Sequence, residues 1–153
     1  MPDQQDAEAR ESLRNLIHDS VTKALLTNSQ LTTAQLETLL VDSFFAGGIE
    51  KSQRRLYRPS KTRISRGSYN RTLIQAQNNV IRSIYTILLL GYLGLFDSAA
   101  LQPFLELADT IDSYVSDAKH ASQTDRAAIE QLNRRLLEFI TALAKRDSFN
   151  DAL

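Results

Sequence analysis

Ser68–Phe96 reads SYNRTLIQAQNNVIRSIYTILLLGYLGLF, and its periodicity decides the fold. At about 100° per residue, Tyr69, Leu73, Ala76, Val80 and Ile84 share one side of a helix. Arg71, Gln75, Asn78 and Arg82, spaced four, three and four, share the opposite side. After Ile84 the pattern is apolar all round, which predicts a second half buried on every side. The charge-free run Ser83–Phe96 is 14 residues long, whereas a bilayer core needs about 20. It therefore reads as a core helix and not as a membrane span. The spacing predicts a helix from Ser68 to Leu90 or Leu93, with Ser68 as its N-cap and Gly91 and Gly94 at its end.

Four further helices follow on either side, and no strand pattern is present. Leu13, Ile17, Val21 and Ala24 make one apolar face over Ala7–Leu26, ended by Asn28 and Ser29. Thr32 and Gln35 form a capping box for a helix over Thr33–Phe45. Leu36, Leu39, Leu40 and Phe44 are its expected core face, and Gly47 and Gly48 its stop. Beyond the central helix, Ser98–His120 places Phe104, Leu107, Ile111, Tyr114, Val115 and Ala118 together. Asp125–Lys145 does the same for Ile129, Leu132, Leu136, Phe139 and Leu143. The expected fold is all-α, a compact bundle of about five helices in a single domain over 1–153, around a long central helix. With 42% apolar and 24% charged residues, the composition suits a soluble globular chain.

Charge is segregated along this chain. It holds 18 basic and 18 acidic residues, yet no acid occurs between Glu50 and Asp97. Nine Lys and Arg residues lie between Lys51 and Arg82. The segment before carries eight acids and three bases, and the segment after carries ten and six. A local field of one sign attracts a polyanion or an acidic protein whatever the net charge. Residues 49–67 form a basic arm in which Pro59 forbids a continuous helix, with a short helical turn expected near Lys51–Leu56.

Two sets of side chains then suggest a nucleic-acid interface. Arg54, Arg55, Arg58, Lys61, Arg63 and Arg66 suit phosphates. Arg71, Gln75, Asn78 and Arg82, with Asn70, Gln77 and Asn79 beside them, can donate and accept without negative charge. These are the side-chain types that match base edges in a groove. The stretch Ile64-Ser65-Arg66-Gly67-Ser68-Tyr69-Asn70-Arg71-Thr72-Leu73 resembles the turn and recognition-helix start of bacterial and archaeal helix-turn-helix repressors. That resemblance implies that Ser65, Arg66, Ser68, Asn70 and Arg71 lie near DNA. It covers ten residues, and the chain departs from the pattern before the turn, where Pro59 and Lys61-Thr62-Arg63 replace an amphipathic helix. The helix after the turn is also longer than the motif requires.

The expected ligand is nucleic acid, DNA in preference to RNA, with no cofactor, no metal and no membrane. In this reading the fifth helix is the expected surface for homo-oligomer formation. The alternative is an assembly subunit or adaptor whose basic segment docks an acidic protein. A third reading pairs the basic arm with the chain's own acids, such as Asp109, Asp112 and Asp117. An enzyme is not expected. The chain has no cysteine, and its two histidines, His18 and His120, have no ligand partner at helical spacing. No zinc-protease, phosphate-loop or nucleophile-elbow motif is present. A strand-transfer role for Tyr69 competes with its place on the apolar face. The polar N-terminus has no secretory pattern, and the absence of cysteine suits a cytoplasmic location.

Overall fold

A computed structural model of the chain describes residues 4–60 and 63–95, with isolated positions beyond them at 102, 105, 106, 108, 109, 130, 134, 137 and 138. The fold is all-α: among the described residues every element is helical. In order they are α1 (Gln4–His18), α2 (Ser20–Thr27), α3 (Thr33–Phe44), α4 (Lys51–Arg54), a 3-10 turn (Arg55–Tyr57) and α5 (Arg66–Tyr92). The chain divides into two compact units, Met1–Ile84 and Tyr85–Leu153. The fourth and fifth predicted helices lie outside the described residues apart from isolated helical positions.

In the first unit, the predicted first helix is two. Asp19 interrupts it: its backbone is extended and its carboxylate accepts hydrogen bonds from the Val21 and Thr22 N–H groups, both at 3.0 Å. This satisfies donors at a new helix start. Apolar periodicity runs through the break unchanged, because Leu13, Ile17 and Val21 are all buried. The capping box on α3 forms as expected. The Gln35 N–H donates to Thr32 Oγ1 at 3.2 Å, and the Thr32 N–H donates to Gln35 Oε1 at 3.1 Å.

The core face of α3 differs from its apolar pattern. Thr38 and Val41 are fully buried, Glu37 nearly so, and Phe44 is 60% exposed. Thr38 can face the core because its hydroxyl donates to the Ala34 carbonyl at 2.7 Å. Phe45 follows α3 as its cap and packs on Tyr57, with ring centroids 4.6 Å apart. Gly47 and Gly48 do not stop α3 through left-handed backbone, since among the described glycines only Gly94 has positive φ, at 68°. At Gly94 the geometry is a Schellman motif: the Leu95 N–H donates to the Leu90 carbonyl and the Gly94 N–H to the Gly91 carbonyl.

Leu13, Val41, Tyr69 and Leu73 form one core cluster, flanked by Leu39, Leu40, Phe45, Tyr57 and Ile64. Arg10 ties α1 to the 3-10 turn. Its Nη2 donates to the Leu56 carbonyl at 2.6 Å, and its guanidinium lies 5.4 Å from the Tyr57 ring centre, within reach of a cation–π attraction. At the other end, Asn79 of α5 donates to Gln30 O and Gln35 Oε1, at 3.1 and 3.2 Å.

The decisive tertiary contact is a buried ion pair. Glu37 is 2% exposed and Arg58 4%. Arg58 Nη2 and Nε donate to Glu37 Oε2 at 3.0 and 3.3 Å, and the Ser60 hydroxyl donates to the same oxygen. Three donors on one carboxylate oxygen offset its desolvation and pin residues 58–60 onto α3. Removing one partner strands the other charge in a low-dielectric site.

The predicted core face of α5 divides along its length. Tyr69, Leu73 and Ala76 are buried, whereas Val80 is 41% and Ile84 52% exposed. In the second unit the end of α5 is likewise open instead of enclosed: Tyr85, Leu88, Leu89 and Tyr92 all lie on the surface. Enclosing an all-apolar helix takes neighbours on every side, and no described residue supplies them.

Glu37→Ala, which leaves the Arg58 guanidinium buried without a counter-charge, is expected to cost ~3–5 kcal/mol in urea unfolding. Replacing both residues, Glu37→Leu with Arg58→Met, should recover most of that loss. Tyr69 supplies a pH test. Burial, with a smaller push from the Asp42 carboxylate, raises its hydroxyl from 10.0 to about 12, against an opposing pull from Arg54 and Arg58. The folded-state value lies above the unfolded one, so the stabilisation from the neutral phenol is complete below pH 10.0 and is lost as pH rises through about 12. Tyr69→Phe should flatten this alkaline loss in unfolding curves measured across that window.

Candidate nucleic-acid interface

The basic arm is an ordered connection in its described part, and its arginines fall into two groups. The first group is held by the protein. Arg54 donates to Asp42 Oδ1 at 2.8 Å and to the carbonyls of Ile49 and Ala46 at 3.1 Å each. Arg55 Nη1 donates to the Ile64 carbonyl at 2.9 Å. Arg58 is the buried partner of Glu37. All three are expected from sequence to neutralise phosphates. In the fold, Arg54 and Arg58 clamp the arm to α3, and Arg55 bonds the Ile64 carbonyl just before α5. Among the described residues, the acids that pair with the arm are Asp42 and Glu37, upstream of it.

The second group projects outward. Arg63, Arg66 and Arg71 are exposed and make no hydrogen bond or ion pair with any described residue. Lys61 lies outside the described residues. These exposed guanidinium groups retain their donors for an external acceptor, and Arg presents those donors in a planar fork that matches phosphate.

The start of α5 is set by Ser65 and not by Ser68. Ser65 Oγ accepts from the Ser68 N–H at 3.1 Å, and the Ser65 carbonyl accepts from the Tyr69 N–H at 3.0 Å. Arg66 and Gly67 are therefore already helical. Glycine in a first turn costs helix stability only modestly, and the serine three positions before Ser68 offers the same capping chemistry one turn earlier. Ser68 itself is exposed in that first turn, and its carbonyl accepts from the Thr72 hydroxyl at 3.0 Å.

Along α5, Asn70, Arg71, Gln75, Asn78 and Arg82 are all exposed. Gln75, Asn78 and Arg82 converge with Gln35 and Asn79 on an open polar hollow of about 440 Å³. Arg71 and Asn70 lie nearer the helix start. Asn70 lines a second hollow of about 290 Å³ with Glu50, Lys51, Ser52, Arg55, Arg66 and Tyr69. Lys51 and Ser52 also line this hollow, and they are not among the residues expected from sequence to meet a ligand. Their signal is weak in one dimension, since a single short helix of four residues brings them beside the α5 start.

No protein-family model matches the chain, and comparison with curated proteins and with solved structures gives no match either. Among the described residues no helix is long and apolar enough to cross a membrane, and no three His, Asp or Glu side chains gather as a metal site.

Because Ser65 caps α5, Ser65→Ala should destabilise the protein by about 1 kcal/mol. Ser68→Ala should change stability by less than about 0.5 kcal/mol. Thermal unfolding of the two variants side by side ranks the serines.

Proposed function

We propose that the protein binds nucleic acid without catalysing a reaction, with DNA the preferred ligand. The observation that carries this reading is the exposed, acid-free face of α5, where Arg71, Gln75, Asn78 and Arg82 lie in line. In this reading Arg63 and Arg66 neutralise phosphates next to the helix start. Asn70 and Arg71 sit at the entry, and Gln75, Asn78 and Arg82 meet base edges in a groove. Arg and amide side chains supply the donor and acceptor pairs that distinguish guanine and adenine. Arg54, Arg55 and Arg58 support the interface from behind, by holding the arm that leads into it.

A second reading is an assembly subunit whose basic segment docks an acidic protein. The specific observation in its favour is the row of large apolar side chains exposed along the end of α5, among them Tyr85, Leu88 and Tyr92. Extended exposed apolar patches are a mark of protein–protein contact sites.

Fluorescence anisotropy with labelled duplex DNA, single-stranded DNA and RNA at two salt concentrations separates the readings. Affinity should fall steeply with salt through counterion release. Combined Arg63→Ala, Arg66→Ala and Arg71→Ala should weaken binding to all sequences alike and lower the salt slope by about 0.9 per lost phosphate contact. Gln75→Ala and Asn78→Ala should instead alter sequence preference by ~1–3 kcal/mol per base contact. No binding at low salt would sink the nucleic-acid reading in favour of the assembly subunit.

A further inference from the structure

The hollow at the start of α5 has its own chemistry. Three elements meet there: α4 brings Lys51 and Ser52, the 3-10 turn brings Arg55, and α5 brings Arg66, Tyr69 and Asn70. Of the described lining groups, three are cationic and Glu50 is the one carboxylate. None of the three cations pairs with Glu50 or with any other described acid. Arg55 is not swinging free. Its Nη1 is fixed on the Ile64 carbonyl at 2.9 Å, while its Nε is sequestered from solvent and has no hydrogen-bond partner.

A guanidinium fixed by one internal bond, a second unpaired guanidinium and an ammonium line one concavity, a composition that suits an anion. The Ser52 hydroxyl and the Asn70 amide add neutral donors beside them. A planar carboxylate offers two oxygens, whereas a phosphoryl group offers three or more arranged tetrahedrally. Converging donors from three elements match the latter better. We propose that this hollow is a phosphate-binding site, distinct from the groove-facing row of Gln75, Asn78 and Arg82. Assignment of that phosphate to a polynucleotide rests on the nucleic-acid reading above. The pocket itself requires only the phosphoryl group, which a free phosphate or nucleotide also carries. Glu50 tunes the site: it opposes a dianion and can accept a hydrogen bond from a hydroxyl or a singly protonated phosphate oxygen.

The test is an NMR titration of the full chain with inorganic phosphate against chloride at equal ionic strength. It follows the backbone amides of Gly67, Ser68 and Asn70 and the side-chain Nε–H groups of Arg55 and Arg66. Saturable shifts at these groups are expected. Arg66→Gln should weaken them roughly tenfold, the worth of one charge-assisted hydrogen bond. It leaves the fold intact because the Arg66 side chain holds no described partner. Glu50→Gln should tighten phosphate binding roughly two- to fivefold, an effect of opposite sign that a purely structural role would not produce. Duplex DNA is measured in parallel with the same variants. Phosphate shifts that DNA competes away support the site and place a backbone phosphate in it. Phosphate shifts without any DNA binding support the site and a small phosphate ligand, and overturn the nucleic-acid reading alone. DNA binding that is indifferent to Arg66→Gln, with no saturable phosphate shifts, overturns the pocket and leaves that reading standing. Absence of both overturns both.

Discussion

A carboxylate on the inner side of α3 constrains this structure more than any other group. Glu37 is buried beside Thr38 and Val41, where an unpaired charge would cost several kcal/mol. Its counter-charge arrives from 21 residues further along, on Arg58, with the Ser60 hydroxyl completing the shell. That pairing turns a stretch of polar sequence into an ordered strap. Once residues 58–60 are pinned, Ile64 reaches the core cluster, Ser65 can cap α5, and Arg55 can grip the Ile64 carbonyl. Arg54 and Asp42 repeat the arrangement one turn away, at 2.8 Å. These contacts position the start of α5 and the side chains on its first turns.

The same clamp sorts the cations. A segment of one sign looks uniform in sequence, but three of its arginines satisfy the protein and others face outward. Arg54 and Arg58, paired with Asp42 and Glu37, add to the local potential without being able to close on a ligand. Cations outside, Arg63, Arg66 and Arg71, keep their donors. Arg55 stands between the two groups, positioned by one internal bond and bordering an anion-receptive hollow. A ligand that met this surface would find an oriented cluster at the helix start and a polar row beyond it, a division between anchoring and reading that polyanion recognition uses.

Along α5 the environment changes within one continuous helix. The turns with Tyr69, Leu73 and Ala76 are packed, while those with Ile84, Leu88 and Tyr92 present apolar side chains to the surface. The change falls between Ala76 and Val80, about two turns before the first compact unit ends at Ile84. Hydrophobic periodicity reports which residues favour burial. It does not report whether a neighbouring element is there to bury them.

Local chemistry was legible from the residues alone. The Thr32–Gln35 capping box, the end of α2 at Asn28, the short helical turn after Glu50, and the all-helical class all depend on interactions within a few positions. So do the burial of Leu13, Ile17 and Val21 and the outward line of Arg71, Gln75, Asn78 and Arg82, because helical geometry fixes relative direction at close range. Tertiary structure alone decided the rest. Asp19 became a cap inside an unbroken apolar pattern, Thr38 and Glu37 displaced Phe44 from the inner face of α3, and Ser65 took the capping role from Ser68. It also decided which arginines were available, since Arg58 needed a partner 21 residues away and Arg54 one 12 residues away. Sequence records that charge is present, but pairing and desolvation depend on distances that only the folded chain sets.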